Sequence, residues 1–139
     1  MSEGYKYNTY EDAMEAVRES THNFRFIRPD LQTPEMALDV VLRNDYNFQH
    51  ARPDLITPEM AMRAVIDWGY NLKFVPAHLI TPEMALVAVT CRGWNLRYVP
   101  AHLQTQEVIE AALKQNPSTK QYIKVKEMFK NTLEEALGE

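Results

Sequence analysis

Arg25, Lys73 and Arg97 recur at one register of a 139-residue chain, and Lys73 and Arg97 each stand three places after an aromatic residue, Tyr70 and Trp94. His22 precedes Arg25 in the same way, and Tyr46 fills the aromatic position again with Gln49 after it. A cation beside a ring can pair with phosphate or carboxylate while the ring supplies stacking or dry contact area. Tyr46, Tyr70, Trp94, Arg25, Lys73 and Arg97 are therefore the candidate partner-binding residues. The expected partner is a protein, with single-stranded nucleic acid as the alternative.

The other reactive types are sparser. Cys91 is the single cysteine. No internal disulfide framework is expected, and a reducing intracellular compartment is the simplest setting. A cysteine nucleophile needs an oriented base; His78 and His102 stand in no motif with Cys91. Asp30, Asp54, His78 and His102 share one repeat position and are metal-ligand types, but equivalent residues of stacked repeats stand too far apart for one ion. GxGxxG, P-loop, HExxH and CxxC patterns do not occur. The expectation is a chain that is no enzyme and takes no metal or cofactor.

What positions these residues is an internal repeat. Thr9, Thr33, Thr57, Thr81 and Thr105 follow at 24-residue intervals, and Glu11, Glu35, Glu59, Glu83 and Glu107 keep the same step. So do Val17, Val41, Val65, Val89 and Leu113. Four full repeats cover 9–32, 33–56, 57–80 and 81–104, and a divergent fifth starts at 105.

Each repeat reads as one longer and one short helix. In "TPEMAMRAVIDWG", Thr57 is an N-cap, Pro58 suits the first helical position, and Glu59 faces the positive end of the helix dipole. Ala61, Ala64, Val65 and Trp68 make one apolar face. Gly69 is expected to end the helix in a left-handed conformation, with Asn71 capping the short helix that follows. Leu79 is expected to pack inward. Rows of alanine (Ala13, Ala37, Ala61, Ala85 and Ala16, Ala64, Ala88, Ala112) let neighbouring helices approach, and Met36, Met60 and Met84 read as core. The fold class is an all-α helical-repeat solenoid of about five units. Residues 1–8 read as a loosely held tail. Residues 9–116 are the array and 117–139 a C-terminal capping helix, with Tyr122, Val125, Phe129, Leu133 and Leu137 on one face.

The stretch "AVTCRGWNLRYVPAHLQTQEVIEAAL" is similar to a family of short two-helix repeats, of unknown function, that carry an AAVxxNGxxLxYxxxxLxxxxExVLxAA pattern. The resemblance covers 9–116, although the Thr-Pro-Glu starts and the 24-residue step depart from it. The leucine-rich variant repeat is a more distant relative in style. Both imply a curved helical stack without a catalytic site or cofactor.

A net charge of −4 gives no global attraction to nucleic acid or anionic membrane. The N-terminus lacks the apolar core of a signal peptide, and no apolar run reaches membrane-spanning length. The expectation is a soluble, cytoplasmic interaction module, with self-association through the N-terminal end of the stack (9–32), which carries no polar cap helix.

Overall fold

The computed structural model describes residues 4–124, and every regular element among them is helical. Five ten-residue α-helices occur in the described chain: α1 (Tyr10–Glu19), α2 (Pro34–Arg43), α3 (Pro58–Asp67), α4 (Pro82–Cys91) and α5 (Gln106–Gln115). Each is followed by a six-residue 3₁₀ helix: Thr21–Phe26, Asp45–His50, Gly69–Phe74, Gly93–Tyr98 and Pro117–Tyr122. A three-residue 3₁₀ turn then follows the first four, at Pro29–Leu31, Pro53–Leu55, Ala77–Leu79 and Ala101–Leu103. The single short helix expected per repeat is thus two, because the proline of each repeat interrupts it.

The threonine row starts the α-helices as expected. Thr9, Thr33, Thr57, Thr81 and Thr105 each accept, through Oγ1, the N–H three residues on, at 3.1–3.2 Å. The ends differ from the sequence reading. Extended residues at Ser20, Asn44, Trp68, Arg92 and Asn116 close the helices, and Gly69 opens the next short helix. Gly69 is there for space: a Cβ on it would stand 2.9 Å from Cys91 Cβ and 3.1 Å from the Ala88 carbonyl oxygen.

Asn71 is not a cap either. It is buried, as are Asn47 and Asn95 at the same repeat position. Asn23, Asn47 and Asn95 donate through Nδ2 to the carbonyl seven residues back, that of Ala16, Val40 or Ala88. Three of the short helices are capped three residues earlier, by Ser20, Asn44 and Asn116, whereas those opening at Gly69 and Gly93 have no side-chain cap.

The chain divides into two compact units, one ending at Ala64 and the other beginning at Val65. In the first, Ala13, Val17, Phe24, Met36, Ala37, Val40, Val41 and Phe48 form the core. In the second, α4 packs on α5 and on both flanking six-residue helices. Leu72, Met84, Ala85, Ala88, Val89, Leu96, Val99 and Ala112 are buried there. A buried Leu, Val, Met or Phe side chain contributes roughly 1.5–3 kcal/mol of transfer free energy. The alanine and methionine rows are core, as read. Trp68 is not: the backbone turns at that residue, and the indole is 42% exposed. Leu79 is only half-buried, and Ile80 after it is the inward residue.

In the segment before Thr9, the Lys6 N–H donates to the Phe26 carbonyl at 2.9 Å and the Lys6 ammonium lies 4.1 Å from the centre of the Phe26 ring. The expected capping helix does not begin at 117, because Pro117–Tyr122 is a 3₁₀ helix closed by extended Ile123. The rest of that expectation, 125–139, lies outside the described residues.

Candidate partner-binding surface

A 3₁₀ helix turns every three residues, so positions i and i+3 lie one above the other. That geometry aligns Tyr70 with Lys73 and Trp94 with Arg97. In the second unit Lys73 Nζ donates to the Tyr70 hydroxyl at 3.1 Å and lies 5.4 Å from the Tyr70 ring centre. Tyr70 meets the edge of Tyr98 across the two short helices, with ring centres 5.9 Å apart, and Trp68 lies 5.0 Å from Tyr70 on the other side. The Arg97 guanidinium lies over Tyr98 and Tyr122, at 5.5 and 5.2 Å. Lys124 Nζ donates to the Arg97 carbonyl at 2.9 Å. Trp94, on the same short helix as Arg97, is 50% exposed.

Tyr70, Lys73 and Arg97 therefore meet through Tyr98, with Trp94 on the short helix of Arg97 and Tyr98. The bond from Lys73 holds the Tyr70 hydroxyl below the usual tyrosine range, and burial pushes Tyr98 above it. Lys73 is raised by the same bond. Among the described residues the charged and ionisable groups acting on Lys73 are Tyr70, Tyr98 and Arg97, with no carboxylate. The sequence explains this, since 69–80, 93–104 and 117–124 contain no Asp or Glu.

Arg25 and Tyr46 belong to the first unit and are both exposed. Their common neighbour is His50. Tyr46 presents its ring at 6.0 Å, and Arg25 adds its charge to the burial that already lowers the His50 pKa. The cations nearby are compensated: Arg28 pairs with Asp30, and Arg52 with Asp54. The aspartates of the metal-ligand row are thus engaged by arginines, while His78 and His102 at the same position are exposed. Among the described residues no group of three or more His, Cys, Asp or Glu is placed to hold a metal ion, and no helix is long and apolar enough to cross a membrane. Cys91 is exposed. An open apolar depression of about 530 Å³ also lies in the first unit, lined by Pro34, Leu38, Leu55, Pro58 and Met60 with Glu35 and Glu59.

Sequence reasoning missed Trp68, taken for core, and Lys124, although Arg28 and Arg52 stand at the same repeat position and could have announced it. The Phe26, His50, Phe74, Tyr98 and Tyr122 row is half-buried and reads as a seam, yet Tyr98 and Tyr122 carry Arg97. No protein-family profile, curated protein or solved structure matches the chain.

Proposed function

We propose that the chain is a non-catalytic protein–protein interaction module, a small α-solenoid acting as an adaptor, inhibitor or effector through its aromatic and basic strip. The observation that carries this is the half-exposed Trp94 on the short helix of Arg97, joined through Tyr98 to Tyr70 and Lys73. Tryptophan, tyrosine and arginine dominate interface hot spots, and a cluster of them in water gains when a partner covers it. Recurrence of one order of helices, at a constant 24-residue step, supports the solenoid and its kinship with short two-helix repeats. The proposal places its work in the cytoplasm, in keeping with its single cysteine.

The nucleic-acid alternative needs open ring faces for bases. Arg97 lies beside the rings of Tyr98 and Tyr122, so those rings already hold a cation, and the net charge of −4 disfavours a polyanion. A protein partner is the better fit.

The test is affinity capture from the source cells with the wild type and a Trp94→Ala/Arg97→Glu variant side by side. Proteins held by the first and released by the second are expected. An unchanged set of bound proteins removes this surface from the proposal. Self-association through 9–32 is tested separately by light scattering, where a strict monomer at high concentration rejects it.

A further inference from the structure

We infer that Tyr70, Lys73, Arg97 and Tyr98 form a carboxylate-recognition site whose ligand is an acidic segment of a partner protein, with an apolar residue beside its aspartate or glutamate. The inference rests on the proposed interaction role and adds the chemistry of the partner.

The first argument is charge. The chain carries a net −4, yet the three segments that build this surface, 69–80, 93–104 and 117–124, hold Lys73, Arg97, Lys120 and Lys124 and no acid. The corresponding segments of the first unit differ. There each Arg-Pro-Asp turn supplies its own counter-ion, Asp30 for Arg28 and Asp54 for Arg52. In the second unit the same turn reads Pro-Ala-His, with exposed His78 and His102 in the aspartate's place. There the arginine and the aspartate are lost together, and among the described residues Lys73 has Tyr70, Tyr98 and Arg97 as its charged and ionisable neighbours, which leaves a local positive field for an external anion.

The second argument is geometry. The Arg97 guanidinium stands between Tyr98 and Tyr122, 5.5 and 5.2 Å from their ring centres, and a guanidinium can donate two parallel N–H bonds to the two oxygens of a carboxylate. Lys73 is steadied by the Tyr70 hydroxyl at 3.1 Å, which reduces the entropy lost when it binds. Tyr98 and Tyr122 serve as neighbours to the Arg97 cation rather than as free faces for bases. Trp94, 50% exposed, and Trp68, 42% exposed, supply dry contact for an apolar neighbour of the acid. The acidic chain as a whole repels a polyanion such as nucleic acid, whereas a short acidic segment feels mainly the local field.

The test uses the isotope-labelled full chain titrated with acetyl-Glu-Asp-Phe-Glu-Asp-Leu-amide, its Gln/Asn counterpart and oligothymidylate. The expected result is amide shifts centred on Tyr70, Lys73, Arg97 and Tyr98. The acidic peptide should bind at least about tenfold more tightly than the amide peptide, and Lys73→Gln/Arg97→Gln should abolish that margin with thermal unfolding unchanged. Equal binding of the two peptides, no binding of the acidic one, shifts centred elsewhere, or tighter binding of oligothymidylate each overturns the inference. If these fail while captured proteins still depend on Trp94, the interaction role stands and only the acidic ligand falls. If the peptide binds as expected but no captured protein depends on Trp94, the role falls and the carboxylate site stands.

Discussion

Gln104 reaches across 20 residues to Lys124: its Oε1 accepts the Lys124 N–H at 2.7 Å, while Nε2 lies 3.2 Å from the carbonyls of Leu96, Val99 and Tyr122. Gln32 makes the same span in the first unit, accepting from Arg52 N–H and donating to the His50 carbonyl. Both side chains are buried, at a repeat position that Ile56 and Ile80 fill with aliphatic groups.

Gln104→Leu keeps the volume but strands the backbone groups the amide satisfies. A loss of about 1–3 kcal/mol of unfolding free energy is expected from urea melts. Gln104→Glu should cost at least as much, because it keeps the acceptor, loses the donor and buries a charge. A Leu variant within about 0.5 kcal/mol of wild type would show that water replaces the amide without penalty.

The α-helical half of each repeat was legible because its signals are local. Thr33, Thr57 and Thr81 stand directly before prolines, and the alanine and valine rows give one apolar face. The other half was not, because its residues act at a distance. Asn71 and Asn95 look like caps in sequence, yet Asn95 bonds a carbonyl seven residues back, inside the core. Trp68 fits a helical period, but the helix ends one residue before it. Gln32 and Gln104 give no periodic signal at all. Of the strip, Tyr70, Lys73, Trp94 and Arg97 were visible as repeats of one register. That Lys73 has Tyr70, Tyr98 and Arg97 rather than a carboxylate against it among the described residues emerges only from the structure.

Gly69→Ala should destabilise the protein by about 1–3 kcal/mol, although glycine-to-alanine changes usually stabilise where the backbone permits alanine. The reason is contact with α4 and the short helix after it, since the new methyl would meet Cys91 Cβ at 2.9 Å and Asn95 Nδ2 at 3.0 Å. Gly4→Ala is the control, with nothing within 4 Å of its Cβ, and should be near neutral. Equal melting temperatures for the two variants would mean that α4 shifts aside freely.

Tyr70 and Tyr98 touch but should ionise in a definite order. The Lys73 ammonium favours the Tyr70 phenolate, so Tyr70 loses its proton below the usual tyrosine range, while burial delays Tyr98. The phenolate absorbance lost on Tyr70→Phe, the difference from wild type that isolates Tyr70 among the seven tyrosines, should rise at lower pH than that lost on Tyr98→Phe. Adding Lys73→Met to Tyr98→Phe should move the Tyr70 transition upward. A titration of Tyr70 that ignores Lys73 would remove the hydrogen bond from the site.

His50 gives the fold a dependence on pH. Burial, and then the charge of Arg25, holds its pKa below the ordinary histidine value of 6.5, and its Nε2 is buried without a hydrogen-bond partner among the described residues. Well above that value both folded and unfolded chains carry neutral imidazole, and the shift has no effect on stability. As pH falls through it, the unfolded chain takes up a proton that the folded chain resists, so stability declines toward the folded-state pKa and levels off below it. The melting temperature of the wild type should therefore drop between about pH 7.5 and about pH 5.5. His50→Phe, which restores the residue found at Phe26 and Phe74, should show a smaller drop over the same range. Arg25→Gln, which removes the second cause, should fall between the two. Parallel curves for wild type and His50→Phe would mean that the imidazole protonates in the folded protein as easily as in water.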